Sequence, residues 1–356
     1  MLLKARNNLK TQNINFKPET LNPNEVGINN GNIFGFPYNI EESQIVIIPV
    51  LSDITCSYAK GTAEGPQAIL EASTQLDFYS PYLKNAWKTK VVLLPIFDAE
   101  LVENRKIGEL ATKIIQKLEN EQALTKQDEE TYQKINNHCK ALNLKVEHTA
   151  TEHINQNKFA VVLGGDHNSP LGLIHALAKK YPGFGILQID AHADLREAYE
   201  GFEYSHASIM FNALKIPAVS KLVQVGIRDI CPAEIDLINN SKGRIKTFFD
   251  WDIKQQQYLG KSWEKICDDI IKELPDLVYI SYDIDGLDPK LCPHTGTPVV
   301  GGFEVEQINF LLNKLAESNK KIIGFDLNEV GNVEWDANVG ARVLYRLCNF
   351  LAKSNL

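Results

Sequence analysis

Three short segments concentrate carboxylates and imidazoles, in two of them at every second residue: Gly164-Gly165-Asp166-His167, Asp190-Ala-His192-Ala-Asp194, and Asp283-Ile-Asp285-Gly-Leu-Asp288-Pro289. In extended chain, residues i, i+2 and i+4 face one side, so Asp190, His192 and Asp194 can converge on one point, as can Asp283 and Asp285. With His167 these segments offer four carboxylates and two imidazoles. Four carboxylates brought together dry would repel one another or take up protons, whereas two divalent cations would neutralise them. Oxygen and imidazole donors without thiolate favour Mn²⁺, with Ni²⁺, Co²⁺ and Zn²⁺ as alternatives. A lone His or Asp at a strand end is more often a cap, and Gly164-Gly165 alone says only that the chain turns sharply. Six such residues in same-face sets are not explained as caps.

The elements that must position them follow from the apolar runs. Unalternating, largely β-branched stretches at 45–50, 91–95, 159–163, 185–189, 222–227, 277–282 and 322–327 predict strands buried on both faces. Between them, helical spacing appears at about 65–75, 104–120, 128–156, 169–180, 232–239, 263–274, 304–318 and 338–353. Strands alternating with helices imply a parallel sheet covered on both sides, a three-layer α/β/α fold. Sites in such sheets lie outside the carboxyl ends of the strands, where all three polar segments fall. Residues 1–40, rich in Asn, Pro and Gly, read as an irregular arm on the body or on a neighbouring subunit. Residues 41–356 read as a single α/β domain, with 104–156 a solvated helical hairpin inserted into it.

The excess of 45 acidic over 37 basic residues, a net charge of −8, argues against a nucleic-acid surface and is compatible with a cationic substrate. Six scattered cysteines without a CxxC pair read as reduced thiols of a cytoplasmic protein. The opening MLLKARNNLKTQNINF lacks the apolar stretch of a signal peptide, and no run approaches a membrane span.

GGDH (164–167), DAHAD (190–194) and SYDIDGLDP (281–289) resemble the three metal-binding signatures of the ureohydrolase family, which includes arginase, agmatinase and formimidoylglutamase. GTAEGPQAI (61–69), VGIRD (225–229), TGTPVVGG (295–302) and GFDLNEV (324–330) resemble family segments in the same order, so the likeness covers most of the chain. The resemblance implies an eight-stranded parallel sheet between helical layers and a homo-oligomer, trimer or hexamer. It implies that His167, Asp190, Asp194 and Asp283 serve one ion, and Asp190, His192, Asp194, Asp283 and Asp285 a second. Two such ions, roughly 3.5–4 Å apart, would share a water, and the resulting hydroxide would attack a guanidinium carbon. Glu329 matches the family carboxylate that pairs with the guanidinium. His206, in Tyr204-Ser205-His206-Ala207-Ser208, matches a loop histidine that passes protons to the leaving amine, a task suited to a group titrating near neutrality.

Substrate choice turns on two departures. Where arginases carry an Asn and an Asp that hold the α-carboxylate and α-ammonium of arginine, this chain has Arg196 and Cys231. The stretch 194–207 resembles agmatinases, and agmatine, which has no α-carboxylate, becomes the expected substrate, cleaved to putrescine and urea. Arginine, a guanidino acid, free guanidine and formimidoylglutamate stay open, since Arg196 also suits a carboxylate. Asn168, His294 and Gly331-Asn332 also depart from the family pattern. Trp335 either walls the guanidinium or packs against the last helix. Two other classes remain: a non-catalytic metal-binding member of the fold, and a single-metal deacylase.

Overall fold

A computed structural model describes residues 21–25 and 27–356. Eight strands form one sheet: β1 (Ile45–Pro49), β2 (Val91–Leu93), β3 (Phe159–Leu163), β4 (Phe184–Ile189), β5 (Val219–Val225), β6 (Ile245–Phe248), β7 (Leu277–Asp283) and β8 (Lys321–Asn328). All neighbouring strands are parallel, in the order β2-β1-β3-β8-β7-β4-β5-β6. The helices are α1 (Gly65–Ser73), α2 (Asp98–Glu119), α3 (Lys126–Asn155), α4 (Leu171–Lys180), α5 (Ile209–Leu214), α6 (Pro232–Asn240), α7 (Asp250–Tyr258), α8 (Trp263–Glu273), α9 (Val305–Glu317) and α10 (Glu334–Ser354).

Strand side chains alternate between two cores. Val161 and Leu163 join Ile69, Leu311 and Leu344 from α1, α9 and α10, whereas Ala160 and Val162 join Val146, Leu173 and Met210 from α3, α4 and α5. This is the three-layer arrangement that unbroken apolar strands require. The four central strands in space, β3, β8, β7 and β4, are the ones whose carboxyl ends carry GGDH, Asn328-Glu329, DID and DAHAD. Segments more than a hundred residues apart in sequence thus open onto one crevice.

Segment 104–156 does form a helical hairpin, α2 and α3, but it is more than a solvated decoration. Val146, Ala150 and Ile154 of α3 cover the sheet through α4, and the outer half makes its own core from Ile107, Ile114, Tyr132, Ile135 and Phe202. One apolar residue per turn suffices for that contact, which is why the spacing reads as weak. Of the irregular arm, residues 1–20 and 26 lie outside the described residues. Residues 27–40 pack inward: Ile33, Phe34 and Phe36 are buried, and the Asn32 side chain accepts the Leu93 N–H at 2.9 Å.

Three elements carry no clear sequence signal. Edge strand β6 buries only Ile245 fully, α7 buries only Asp250 and Ile253, and α5 is six residues long. No described helix is long and apolar enough to cross a membrane, and all six cysteines are unpaired.

Candidate metal centre and active-site cleft

Each polar segment begins with the same turn, in which an aspartate accepts the N–H two residues on. Asp166 Oδ1 takes Asn168 N at 3.2 Å, Asp190 Oδ1 takes His192 N at 2.6 Å, and Asp283 Oδ1 takes Asp285 N at 2.8 Å. Such local side-chain bonds compete with the extended ladder and curl the chain. The expected extended alternation is therefore not what brings the donors together. Asp285 sits in a 3-10 turn at Ile284–Gly286, and Asp194 is left-handed with φ 55. That uncommon backbone is held where the Asp194 carbonyl accepts the Met210 and Phe211 N–H groups of α5, each at 3.1 Å.

The side chains converge tightly. His167 Nδ1 lies 2.9 Å from Asp194 Oδ2, 3.0 Å from Asp190 Oδ2 and 3.2 Å from Asp283 Oδ2. His192 Nδ1 lies 2.9 Å from Asp285 Oδ2 and 3.7 Å from Asp190 Oδ1. Two donor groups result, His167/Asp190/Asp283 and Asp190/His192/Asp285, each with its atoms within 4.8 Å of one another and with Asp190 in both. One ring N–H cannot serve three carboxylates, and the buried His167 Nδ1 has no aligned hydrogen-bond partner. Nδ1 and the three oxygens crowd together, an arrangement that a cation between them would suit.

The tautomer is fixed from behind. His167 Nε2 is 2.9 Å from Ser281 Oγ, whose hydroxyl donates to Asp326 Oδ1 at 3.1 Å. Nε2 therefore carries a ring proton. Burial opposes a second one, yet Asp190, Asp194 and Asp283 outweigh it and raise the ring well above its ordinary value, and a cation at the centre would take Nδ1 in that proton's place. A second buried chain reaches Asp190 from the sheet edge. Thr247 Oγ1 donates to Gln224 Oε1 (2.7 Å), Gln224 Nε2 to Gln188 Oε1 (2.7 Å), and Gln188 Nε2 to Asp190 Oδ2 (2.8 Å).

Without cations the cluster is loaded with protons. Burial, and then repulsion from Asp194 and Asp285, pushes Asp190 up to about 7, and burial with Asp285 and Asp190 pushes Asp283 well above the carboxylate range. Burial opposes charge on His192, yet Asp285, Asp190 and Asp194 outweigh it and raise the ring to about 10. Divalent cations would take the place of those protons.

Comparison with known proteins gives the family of the chain. The family model described as "Arginase family" matches residues 43–348. An agmatinase of Bacillus cereus is 30% identical over 299 residues, 83% of this chain and 86% of that protein. An N(1)-aminopropylagmatine ureohydrolase of Thermus thermophilus is 30% identical over 309 residues, 86% and 89% of the two chains. The chain belongs to the arginase family. It is an enzyme of the ureohydrolase type. The crystal structure of an agmatine ureohydrolase of Thermoplasma volcanium shares the fold, with a TM-score of 0.66 at 21% identity over 89% of this chain and 92% of that one.

In this arginase-family chain a cleft of about 500 Å³ opens beside the donors, lined by His192, Asp194, Arg196, Tyr199, Glu200 and His206 among others. Arg196 stacks on Tyr199, its Cζ 4.8 Å from the ring centre. His206 stands edge-on to the same ring at 6.1 Å, and burial lowers its pKa to about 4, away from the neutral range expected of it. Cys231 is not on the cleft wall. It precedes α6 as its N-cap, where its N–H donates to Glu234 Oε2 at 3.0 Å. Glu329, left-handed at φ 61 and 4% exposed, lies behind His167: its Oε1 accepts the His167 N–H at 3.0 Å, and its buried Oε2 has no partner. A Cβ at Gly296 would stand 2.8 Å from that oxygen and would displace the carboxylate. Trp335 does not wall the centre; it is half exposed in the first turn of α10 and donates to the Lys290 carbonyl at 3.1 Å.

Sequence reading missed the role of Arg228. Its guanidinium donates to the carbonyls of Asp285 (2.6 Å), Leu287 (3.1 Å), Val299 (3.0 Å) and Val300 (3.2 Å), tying the DID turn to the loop that forms the opposite wall of the cleft. The signal was its place in VGIRD, shortly after an apolar strand. The glutamines were visible as polar residues inside GILQI and LVQVGI.

Proposed function

We propose that this chain hydrolyses the guanidino group of agmatine, giving putrescine and urea, with two divalent cations, Mn²⁺ first, held by His167, Asp190, His192, Asp194, Asp283 and Asp285. The observation that carries the reading is the buried His167 Nδ1 facing three carboxylate oxygens within 3.2 Å and no aligned hydrogen-bond partner. His167, Asp190, Asp194 and Asp283 would hold one ion, and Asp190, His192, Asp194, Asp283 and Asp285 the other. Bound there, the cations would supply Lewis acidity and make water a nucleophile at neutral pH.

The chain's own groups do the rest. Glu329 Oε1 is fixed by the His167 N–H, and its unpartnered Oε2 would take a guanidinium N–H. Burial, then Asp283 and Asp166, hold its pKa well above the carboxylate range, so the arriving cation would ionise it in forming the pair that holds the carbon at the centre. His206, on the cleft wall and kept neutral at rest by burial, would carry a proton to the departing amine, its charged form favoured by Asp194 and Asp285. Agmatine is favoured among guanidino compounds by the agmatinase that is 30% identical over 83% of this chain. Arg196 in the cleft supports a second reading, a guanidino acid whose carboxylate it would meet.

The test is turnover of agmatine, arginine, guanidinobutyrate and guanidine to urea, and of formimidoylglutamate to formamide, after loading stripped protein with Mn²⁺, Ni²⁺, Co²⁺ or Zn²⁺. Agmatine should give the highest kcat/KM, with two metals per chain. A blank across all five compounds would return the chain to the non-catalytic class, and one tightly bound metal would favour a deacylase.

A further inference from the structure

We propose that Glu200 and Glu119 form a subsite for a second cation on the substrate, the terminal ammonium of an aminoalkylguanidine, and that the α2–α3 hairpin builds this subsite. The inference rests on the guanidino hydrolase reading and adds the residues that select the far end of the substrate. Both glutamates line the same cleft as His192, Asp194 and His206. A bare guanidinium fills little of about 500 Å³, so a ligand seated at the donors has room to extend along the wall.

Glu200 is a carboxylate in need of a cation. Its Oε2 is shut off from solvent and has no hydrogen-bond partner, an arrangement that costs free energy until a donor arrives. Burial, and then the Glu119 charge, pushes its pKa up to about 7, while Arg196 pulls the other way without closing on it. Arg196 is instead stacked on Tyr199. Glu119, the last residue of α2, is exposed on the same cleft wall and adds a second carboxylate there.

The hairpin sets where Glu200 stands. Glu200 and Gly201 are both left-handed, φ 52 and 83, and the Tyr132 hydroxyl of α3 donates to the Glu200 carbonyl at 2.6 Å. Phe202 is fully buried in the hairpin core, its ring 5.1 Å from that of Tyr132. A Cβ on residue 201 would fall 2.7 Å from the Tyr132 ring, so the turn and α3 fit only with glycine there. Glu119 comes from the hairpin itself, and the strained turn that presents Glu200 is pinned by it.

The experiment compares agmatine with pentylguanidine, in which a methyl replaces the ammonium. In the wild type, kcat/KM should favour agmatine. Glu200→Gln should lower the agmatine-to-pentylguanidine ratio by about 10- to 100-fold, the loss expected of a charge-assisted bond, and mainly through KM. Tyr132→Phe, which keeps the ring and removes the hydroxyl, should lower the ratio in the same direction by a smaller factor, with little change in the unfolding midpoint. An unchanged ratio in folded Glu200→Gln protein, or a wild type that prefers 4-guanidinobutyrate to agmatine, would overturn the subsite. Urea from both compounds with no selectivity sinks the subsite and leaves the hydrolase reading standing. If no guanidino compound yields urea, that reading falls, and the subsite is judged by the same ratio taken from calorimetric Kd values.

Discussion

Asp190 has both oxygens engaged before any ligand arrives: Oδ1 accepts the His192 N–H and Oδ2 accepts the Gln188 amide. Each carboxylate oxygen has a second lone pair, and these face His167 and His192. A side chain aimed in this way would suit two cations at once, and Asp283, bonded through Oδ1 to Asp285 N, keeps Oδ2 toward His167. Asp194→Ala and Asp283→Ala should therefore lower metal content and abolish turnover, beyond the roughly 10- to 100-fold loss usual for a partner outside the coordination shell. Metal analysis of dialysed protein checks this, and a fully loaded, active variant would refute the assignment. Glu329→Gln is the contrast. It keeps an acceptor for the His167 N–H but loses the charge for the guanidinium, so metal content should persist while kcat/KM falls by about 100-fold, a charge-assisted interaction being lost. Loss of metal in that variant would mean that Glu329 serves the cations instead.

At the scale of elements, Arg228 joins the DID turn to the 299–300 loop through four main-chain carbonyls on the two segments. Arg228→Met keeps much of the stem and removes every donor, leaving these carbonyls to water. The loop opposite the donors should loosen, raising KM by about 10-fold or more while metal affinity changes less, since misplacement of a cleft wall acts on substrate positioning. Equal losses in metal binding and KM would instead place Arg228's effect on the donor turn. This residue also marks how far the sequence could be read. Asp190, His192, Asp194, Asp283, Asp285 and His167 were legible because ionisable groups directly after apolar strands are chemically conspicuous. The order of the strands and the Asp-x-polar turns that curl the donors together were not, because backbone hydrogen bonding decides both. Edge strand β6 and helix α7 escaped notice because each buries so little that solvent-facing residues blur the period. The hairpin read as solvated because its stripe is thin, although Glu119 lines the cleft and Tyr132 holds the Glu200 carbonyl.

For the whole molecule, a proton-loaded centre couples folding, pH and metal. Asp190 at about 7 and His192 at about 10 both stand above their unfolded values of roughly 3.9 and 6.5. The stability these groups contribute is complete below the unfolded values and drains away as pH rises through 7 and then 10. Asp285 works in the opposite sense. Burial disfavours its charge, but His192 holds it at about 2, so its contribution is present above roughly 3.9 and fades only in acid. Metal-free protein should thus lose stability between pH 6 and pH 8. Cations reverse the slope, because binding expels the same protons and strengthens as pH rises. At a free Mn²⁺ concentration 100-fold above Kd the gain is about 2.7 kcal/mol, several degrees in Tm for a chain of this size. Thermal unfolding of chelator-treated protein at both pH values, with and without Mn²⁺, should show a gain in Tm larger at pH 8. Calorimetry in buffers of different ionisation enthalpy should show protons released on binding. A gain independent of pH, with no proton release, would mean that the carboxylates are already ionised and paired without metal, and the case for a cation centre built on their mutual repulsion would fail.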